Sequence, residues 1–180
     1  MVKSKILLIL AVLLFFIYTV SAMSEGLSLE CQTPENWKEI DLDKEKIDTD
    51  ISPDIVIKAF EPSENSLLLV TAYFLEEQFT PAEWLNAMTD AFSGDKNIKI
   101  IERKVEKLGA NNVVSLALLG KGKLYRFDKN GDMNIIRQTF LIPHGTAIIQ
   151  FILICPESQY NQLKPVVSNV VGTLIFKYKV

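Results

Sequence analysis

His144 is the only histidine in the chain, so any catalysis that needs an imidazole must pass through it. Its neighbours Pro143 and Gly145 place it on a tight turn. Cys155 is the nearest thiol in sequence, and a Cys–His nucleophile pair would need that thiol reduced. No Gly-x-Ser-x-Gly elbow is present. One histidine and two cysteines cannot build a zinc finger or a three-histidine metal centre. Gly120-Lys121-Gly122-Lys123 lacks the Walker spacing and runs on into strand-like Leu124-Tyr125, so it is no phosphate loop. Asp128-Lys129-Asn130-Gly131-Asp132 echoes a calcium loop, but Arg137 stands where the bidentate glutamate belongs. The acidic stretch Asp41, Asp43, Glu45, Asp48, Asp50, Asp54 offers carboxylates to a hard cation without a ligand spacing, and it reads as a solvated loop. No complete set of catalytic roles emerges. The chain reads as a non-enzyme with no cofactor and no metal site.

Composition narrows the partners. With 48% hydrophobic, 23% charged and 9% aromatic residues, the chain is neither disordered nor a coiled coil. A net charge of −3 argues against binding nucleic acid through its phosphates.

The first residues read as an export address. Lys3 and Lys5 precede the apolar run Ile6–Tyr18, which ends at Thr19-Val20-Ser21-Ala22. Val20 and Ala22 occupy the small-residue positions of a signal-peptidase site, so residues 1–22 form a signal peptide cleaved after Ala22. The run holds 13 residues, short of the roughly 20 that a spanning helix needs. No other stretch is long and apolar enough to span, so the mature form is expected to be soluble. It keeps 17 Lys and Arg against 22 Asp and Glu, a net charge of −5.

The elements that position these residues follow from local pattern. Residues 23–33 read as a flexible N-terminal arm, and 34–180 as a single domain opened by Trp37 and Ile40. Ile55–Phe60 is a strand, and Glu61-Pro62-Ser63-Glu64-Asn65 is a turn. Leu67–Leu75 is apolar on both alternating faces, so both must be covered. Thr80-Pro81-Ala82-Glu83 is a capping box, and Trp84, Leu85, Met88 and Phe92 form one apolar stripe on a helix ended by Gly94. Ile98–Val105 and Val113–Leu119 are strands, and Gly120-Lys121-Gly122 is a bulge or turn before Lys123–Phe127. Asp128–Gly131 is a hairpin turn, Asn134–Ile142 a returning strand, and Pro143-His144-Gly145 another turn. Thr146–Ile154 is a second strand buried on both faces. Tyr160, Leu163, Val166 or Val167, Val170 and Leu174 keep a helical period, with a kink or split at Pro165. Two strands that need cover on both faces and two helices to supply it predict a three-layer α/β/α sandwich of the α+β class around a mainly antiparallel sheet.

The Pro34–Trp37 opening, the Trp84 helix after a two-faced apolar strand, and the closing Asn169-Val170-Val171-Gly172-Thr173-Leu174-Ile175-Phe176 together resemble the PsbP/DcrB-like superfamily. Thr173 stands where many members carry serine. The resemblance implies a PsbP-like fold and an accessory role: an exported, periplasmic or secreted protein that contacts another envelope or secreted protein. An oxidising compartment leads to the expectation of a Cys31–Cys155 disulfide. Two rivals are a carrier with Trp84 and Tyr73 lining an apolar pocket between sheet and helix, and a hydrolase using His144 with a Ser or Cys brought near by folding.

Overall fold

The computed structural model describes residues 27–41, 56–122 and 133–178. In chain order the elements are β1 (Leu27–Glu30), β2 (Lys38–Glu39), β3 (Val56–Glu61), β4 (Leu67–Phe74), α1 (Pro81–Phe92), β5 (Lys99–Leu108), β6 (Asn111–Gly122), β7 (Met133–His144), β8 (Ala147–Pro156), α2 (Glu157–Gly172) and β9 (Ile175–Tyr178). Seven strands build one sheet in the order β2-β3-β4-β8-β7-β6-β5. Each neighbouring pair is antiparallel. The chain crosses from β4 to the far edge through α1, then meanders back through β5–β8 until β8 lies beside β4.

The two strands read as apolar on both faces, β4 and β8, are the adjacent inner strands. Alternation along β4 sends Leu68 and Val70 to one face and Leu67 and Leu69 to the other. The first face packs with Ile149, Phe151 and Leu153 of β8 beneath Tyr160, Leu163, Val167, Val170 and Val171 of α2. The second face carries Ile152 with Leu67 and Leu69, and Val114, Leu141 and Ile148 beneath Trp84, Leu85 and Met88 of α1. One helix covers each face, so the α/β/α layering is present.

At α1, Thr80 Oγ1 accepts from the Glu83 N–H at 3.3 Å while Glu83 Oε2 accepts from the Thr80 N–H at 2.8 Å. Both halves of the expected capping box are made. None of the side chains on α1 is fully buried, so this helix leans on its cap more than α2 does. Thr80→Ala is expected to cost about 1 kcal/mol, read as a lower urea midpoint at unchanged slope.

Several boundaries differ from the sequence reading. α1 ends at Phe92, two residues before Gly94, with Ser93 capping it in right-handed geometry (φ −64°). α2 runs unbroken past Pro165, because Pro165 and Asn161, whose carbonyl loses its partner, lie on the exposed side where water satisfies it. Gly120-Lys121-Gly122 is neither bulge nor turn: β6 continues through it, paired with Ile135, Asn134 and Met133. Pro143 and His144 belong to β7, and the turn is Gly145-Thr146, with Gly145 at φ +64° in the first central position of a II′ pattern. Within the stretch read as a flexible arm, Leu27–Glu30 form β1 in register with Ile175–Tyr178, and Leu29 packs on the core. The signal peptide with its cleavage after Ala22, the acidic stretch beyond Asp41, and the Lys123–Phe127 strand with the Asp128–Asp132 turn lie outside the described residues. No helix among the described residues is long and apolar enough to cross a membrane.

Candidate functional site

The register of the β7–β8 hairpin decides whether His144 and Cys155 can act together. His144 pairs with Ala147 beside the turn, and Cys155 pairs with Ile136 at the other end. The eight residue steps from Ala147 to Cys155 span about 26 Å at ~3.3 Å per residue. His144 is exposed and Cys155 is fully buried. A Cys155–His144 nucleophile pair does not form, because an extended hairpin separates its two ends by the full strand length. Among the described residues no three His, Cys, Asp or Glu side chains gather as a metal site.

A groove of about 460 Å³ opens instead where the N-terminal segment meets the β2–β3 end of the sheet. Its floor is Phe60 and Lys58 of β3 with Glu39 of β2. Leu29 and Cys31 line its wall together with Thr173 and Ile175 of the adjoining segment. Lys58 Nζ sits 3.0 Å from Glu39 Oε1 and 5.8 Å from the Phe60 ring centroid. Trp37 backs Phe60 with ring centroids 6.2 Å apart. Thr173 ties the N-terminal segment to the end of α2. Its Oγ1 accepts from the Gln32 N–H at 2.9 Å and donates to the Val170 carbonyl at 2.8 Å. A hydroxyl here closes the C-terminus of α2 and holds the N-terminal segment in one contact.

Both cysteines are free thiols in the structure. Burial pushes the Cys31 thiol up, and the Lys58 charge partly offsets it. Burial alone pushes Cys155 up to about 12. In reduced protein a small alkylating reagent at mildly alkaline pH is therefore expected to label Cys31 and spare Cys155 until the protein unfolds. Peptide mapping after limited alkylation checks this, and prompt labelling of Cys155 in native protein contradicts it.

A second polar cluster lies under α2, across β5, β6 and β7. Tyr160 OH donates to Gln138 Oε1 at 2.5 Å, and Gln138 Nε2 donates to Ser115 Oγ at 2.9 Å. Ser115 Oγ donates to Glu102 Oε1 at 2.9 Å, and Lys164 Nζ donates to Glu102 Oε2. Lys104 adds contacts of 3.5 Å to Glu102 and 2.8 Å to Glu106. Burial, then the nearby Glu102 carboxylate, pushes the Tyr160 phenol up, so it remains a donor. The chain is a fastening between helix and sheet; its charges pair internally.

Tyr73 and Trp84, expected to line a pocket, do lie on the α1 face, packed against Val114, Leu141 and Ile148. Tyr73 OH accepts from Gln150 at 2.9 Å, and Phe79 meets Trp84 edge-on with centroids 5.5 Å apart. The groove is on the other face. Its residues carry no sequence spacing, since they come from β1, β2, β3 and β9.

No protein-family model matches the sequence, and no curated protein matches it. The fold does have solved counterparts. LpqN, involved in cell envelope biogenesis of Mycobacterium tuberculosis, is 13% identical, with 86% of this chain and 87% of that one covered at TM-score 0.54. A Bacteroides thetaiotaomicron protein is 8% identical, with 85% of this chain and 48% of that one covered at TM-score 0.51. Cyanobacterial PsbP (CyanoP) from Synechocystis sp. PCC 6803 is 13% identical, with 83% and 92% covered at TM-score 0.48. At such identities the likeness is one of fold. That fold, shared with LpqN, is the α+β sandwich around an antiparallel sheet expected from the sequence.

Proposed function

We propose that this protein is an exported accessory protein that works by contact with another envelope or secreted protein and catalyses no reaction. One observation carries the reading: the groove between the N-terminal segment and the β2–β3 end is open and mixed in character, while the imidazole and the buried thiol are held a strand length apart. The export address at residues 1–22, cleaved after Ala22, belongs to the same proposal, and LpqN, which shares the fold, is involved in cell envelope biogenesis. Periplasmic or secreted localisation follows from that address. A single domain, with β1 included in it, and the Cys31–Cys155 disulfide are part of it too. Cys155 belongs to the apolar cluster under α2 and Cys31 packs against that cluster, and an oxidising compartment favours their pairing. Unreduced exported protein with two alkylatable thiols would refute the bond.

The test is photocrosslinking from position 58, in the groove floor, in cells that export the protein. A discrete crosslinked protein, lost when Ile175→Asp is added to the groove wall, is the expected result. Turnover of an ester or peptide substrate that disappears in His144→Ala would overturn the non-catalytic reading. A carrier of a small apolar ligand is the second reading, favoured by a groove volume within the ~300–1,000 Å³ of ligand sites. Native mass spectrometry showing a co-purified small molecule and no crosslinked protein would select it.

A further inference from the structure

We propose that the outer edge of β5 receives an extended segment of the partner protein, one that alternates acidic and apolar residues. The inference deepens the contact reading above and rests on it. β5 is the last strand of the seven-stranded sheet, and among the described residues its outer edge pairs with nothing. A ten-residue strand with an open row of N–H and C=O groups is a template for strand addition. Natural sheets guard such edges with charge and with bulges. Here the bulge falls early, between Ile100 and Glu102, and Glu102–Leu108 runs in regular register with β6.

The charges along β5 divide by face. On the α2 face, Glu102, Lys104 and Glu106 neutralise one another together with Lys164. That face carries no net repulsion toward an incoming strand. On the α1 face stand Arg103, Val105 and Lys107, with Ile101 next to them in the bulge. Ile101 is 38% exposed and Val105 is 47% exposed, both large apolar side chains left open. The guanidinium of Arg103 donates only to neutral oxygens, Thr89 Oγ1 at 2.9 Å and Asn86 Oδ1 at 2.6 Å. Lys107 has no carboxylate partner among the described residues. This row reads apolar, cation, apolar, cation on a chain whose net charge is −3. A strand added antiparallel sets a residue opposite each of these, so its complement is acidic-x-apolar-x-acidic-x-apolar. Opposite charges across the pair fix register.

The experiment titrates isotope-labelled protein with the peptide Glu-Thr-Val-Thr-Glu-Thr-Ile and follows backbone amide shifts. Shifts concentrated on β5, and at least about tenfold weaker binding in Lys107→Glu, are expected. A peptide with lysine at its first position should recover that loss against Lys107→Glu, a rescue that a misfolded variant could not give. Equal binding of a peptide with both glutamates changed to lysine would overturn the proposal. So would shifts around Lys58 and Phe60 with none on β5, which would leave the groove as the contact site and the contact reading standing. Concentration-dependent dimerisation abolished by Val105→Glu would overturn it differently, by making a second copy the occupant of the edge.

Discussion

Gly109→Ala is expected to destabilise the protein by at least ~4 kcal/mol, or to prevent folding. Gly109 turns the chain between β5 and β6 at φ +59°, a conformation that costs an L side chain about 1–2 kcal/mol by itself. The larger effect is contact. A Cβ there would lie 2.0 Å from the Gly172 carbonyl oxygen and 2.9 Å from its carbon. Both are backbone atoms at the C-terminus of α2, so no side chain can swing aside. Relief would require moving the helix end, which Asn111 Nδ2 holds through the Val171 carbonyl at 3.2 Å and which leads into Thr173 and the groove wall. Gly145→Ala separates the two effects. Gly145 has φ +64° but nothing within 4 Å of a built Cβ, so only the conformational cost of about 1–2 kcal/mol applies. Gly172→Ala, whose Cβ would meet Gly109 N at 3.4 Å, is expected to stay within about 1 kcal/mol of the parent. Urea unfolding of the three variants makes the comparison. Equal losses for Gly109→Ala and Gly145→Ala would refute the clash.

That contact shows where sequence legibility ends. Thr80–Glu83 could be read because its partners lie three residues apart. β4 and β8 could be read because burial on both faces leaves an unbroken apolar run. Gly109 and Gly172 are 63 positions apart, and neither has a local pattern that names the other. The pairing of β1 with β9 was hidden for the same reason: Leu27–Glu30 is too short to look like a strand until the far end of the chain lies beside it. Pro165 does not split α2, because that effect depends on whether the freed Asn161 carbonyl faces water or core, which no propensity records. For the groove, Trp37 was legible as an anchor, but Lys58 and Cys31 were not, since tertiary topology alone unites them. On β5 a signal was available: Glu102, Lys104 and Glu106 alternate strictly. That spacing puts the three on one face of a strand, and that face points under α2.

The fastening under α2 makes acid sensitivity the second large expected effect. Each donor in the chain points toward Glu102: Tyr160 to Gln138, Gln138 to Ser115, Ser115 and Lys164 to the carboxylate. Gln138 and Ser115 are fully buried, so neither can turn to water if the chain breaks. Burial pushes the Glu102 carboxyl upward. Hydrogen bonds from Lys164 and Ser115 and the charges of Lys164 and Lys104 outweigh it, and hold the group below its ordinary 4.5. A carboxylate with a lowered folded pKa binds protons more readily when unfolded. Its contribution is therefore complete above the unfolded value of 4.5 and is lost as pH falls through the lower folded value. Glu102→Gln keeps an acceptor for Ser115 but removes the charge that Lys164 and Lys104 meet. It is expected to cost about 1–3 kcal/mol near pH 7. At an acid pH below 4.5 the gap to the parent should narrow, because the carboxylate's contribution is progressively lost there. Tyr160→Phe strands the buried Gln138 Oε1 and is expected to cost about 1–3 kcal/mol at both pH values. Combined with Glu102→Gln it should fall short of additivity, since both variants break one chain. Urea unfolding of the parent, both single variants and the double variant at each pH decides it. A Glu102→Gln deficit that stays constant from neutral to acid pH would show that the carboxylate's charge is not what holds α2 to the sheet.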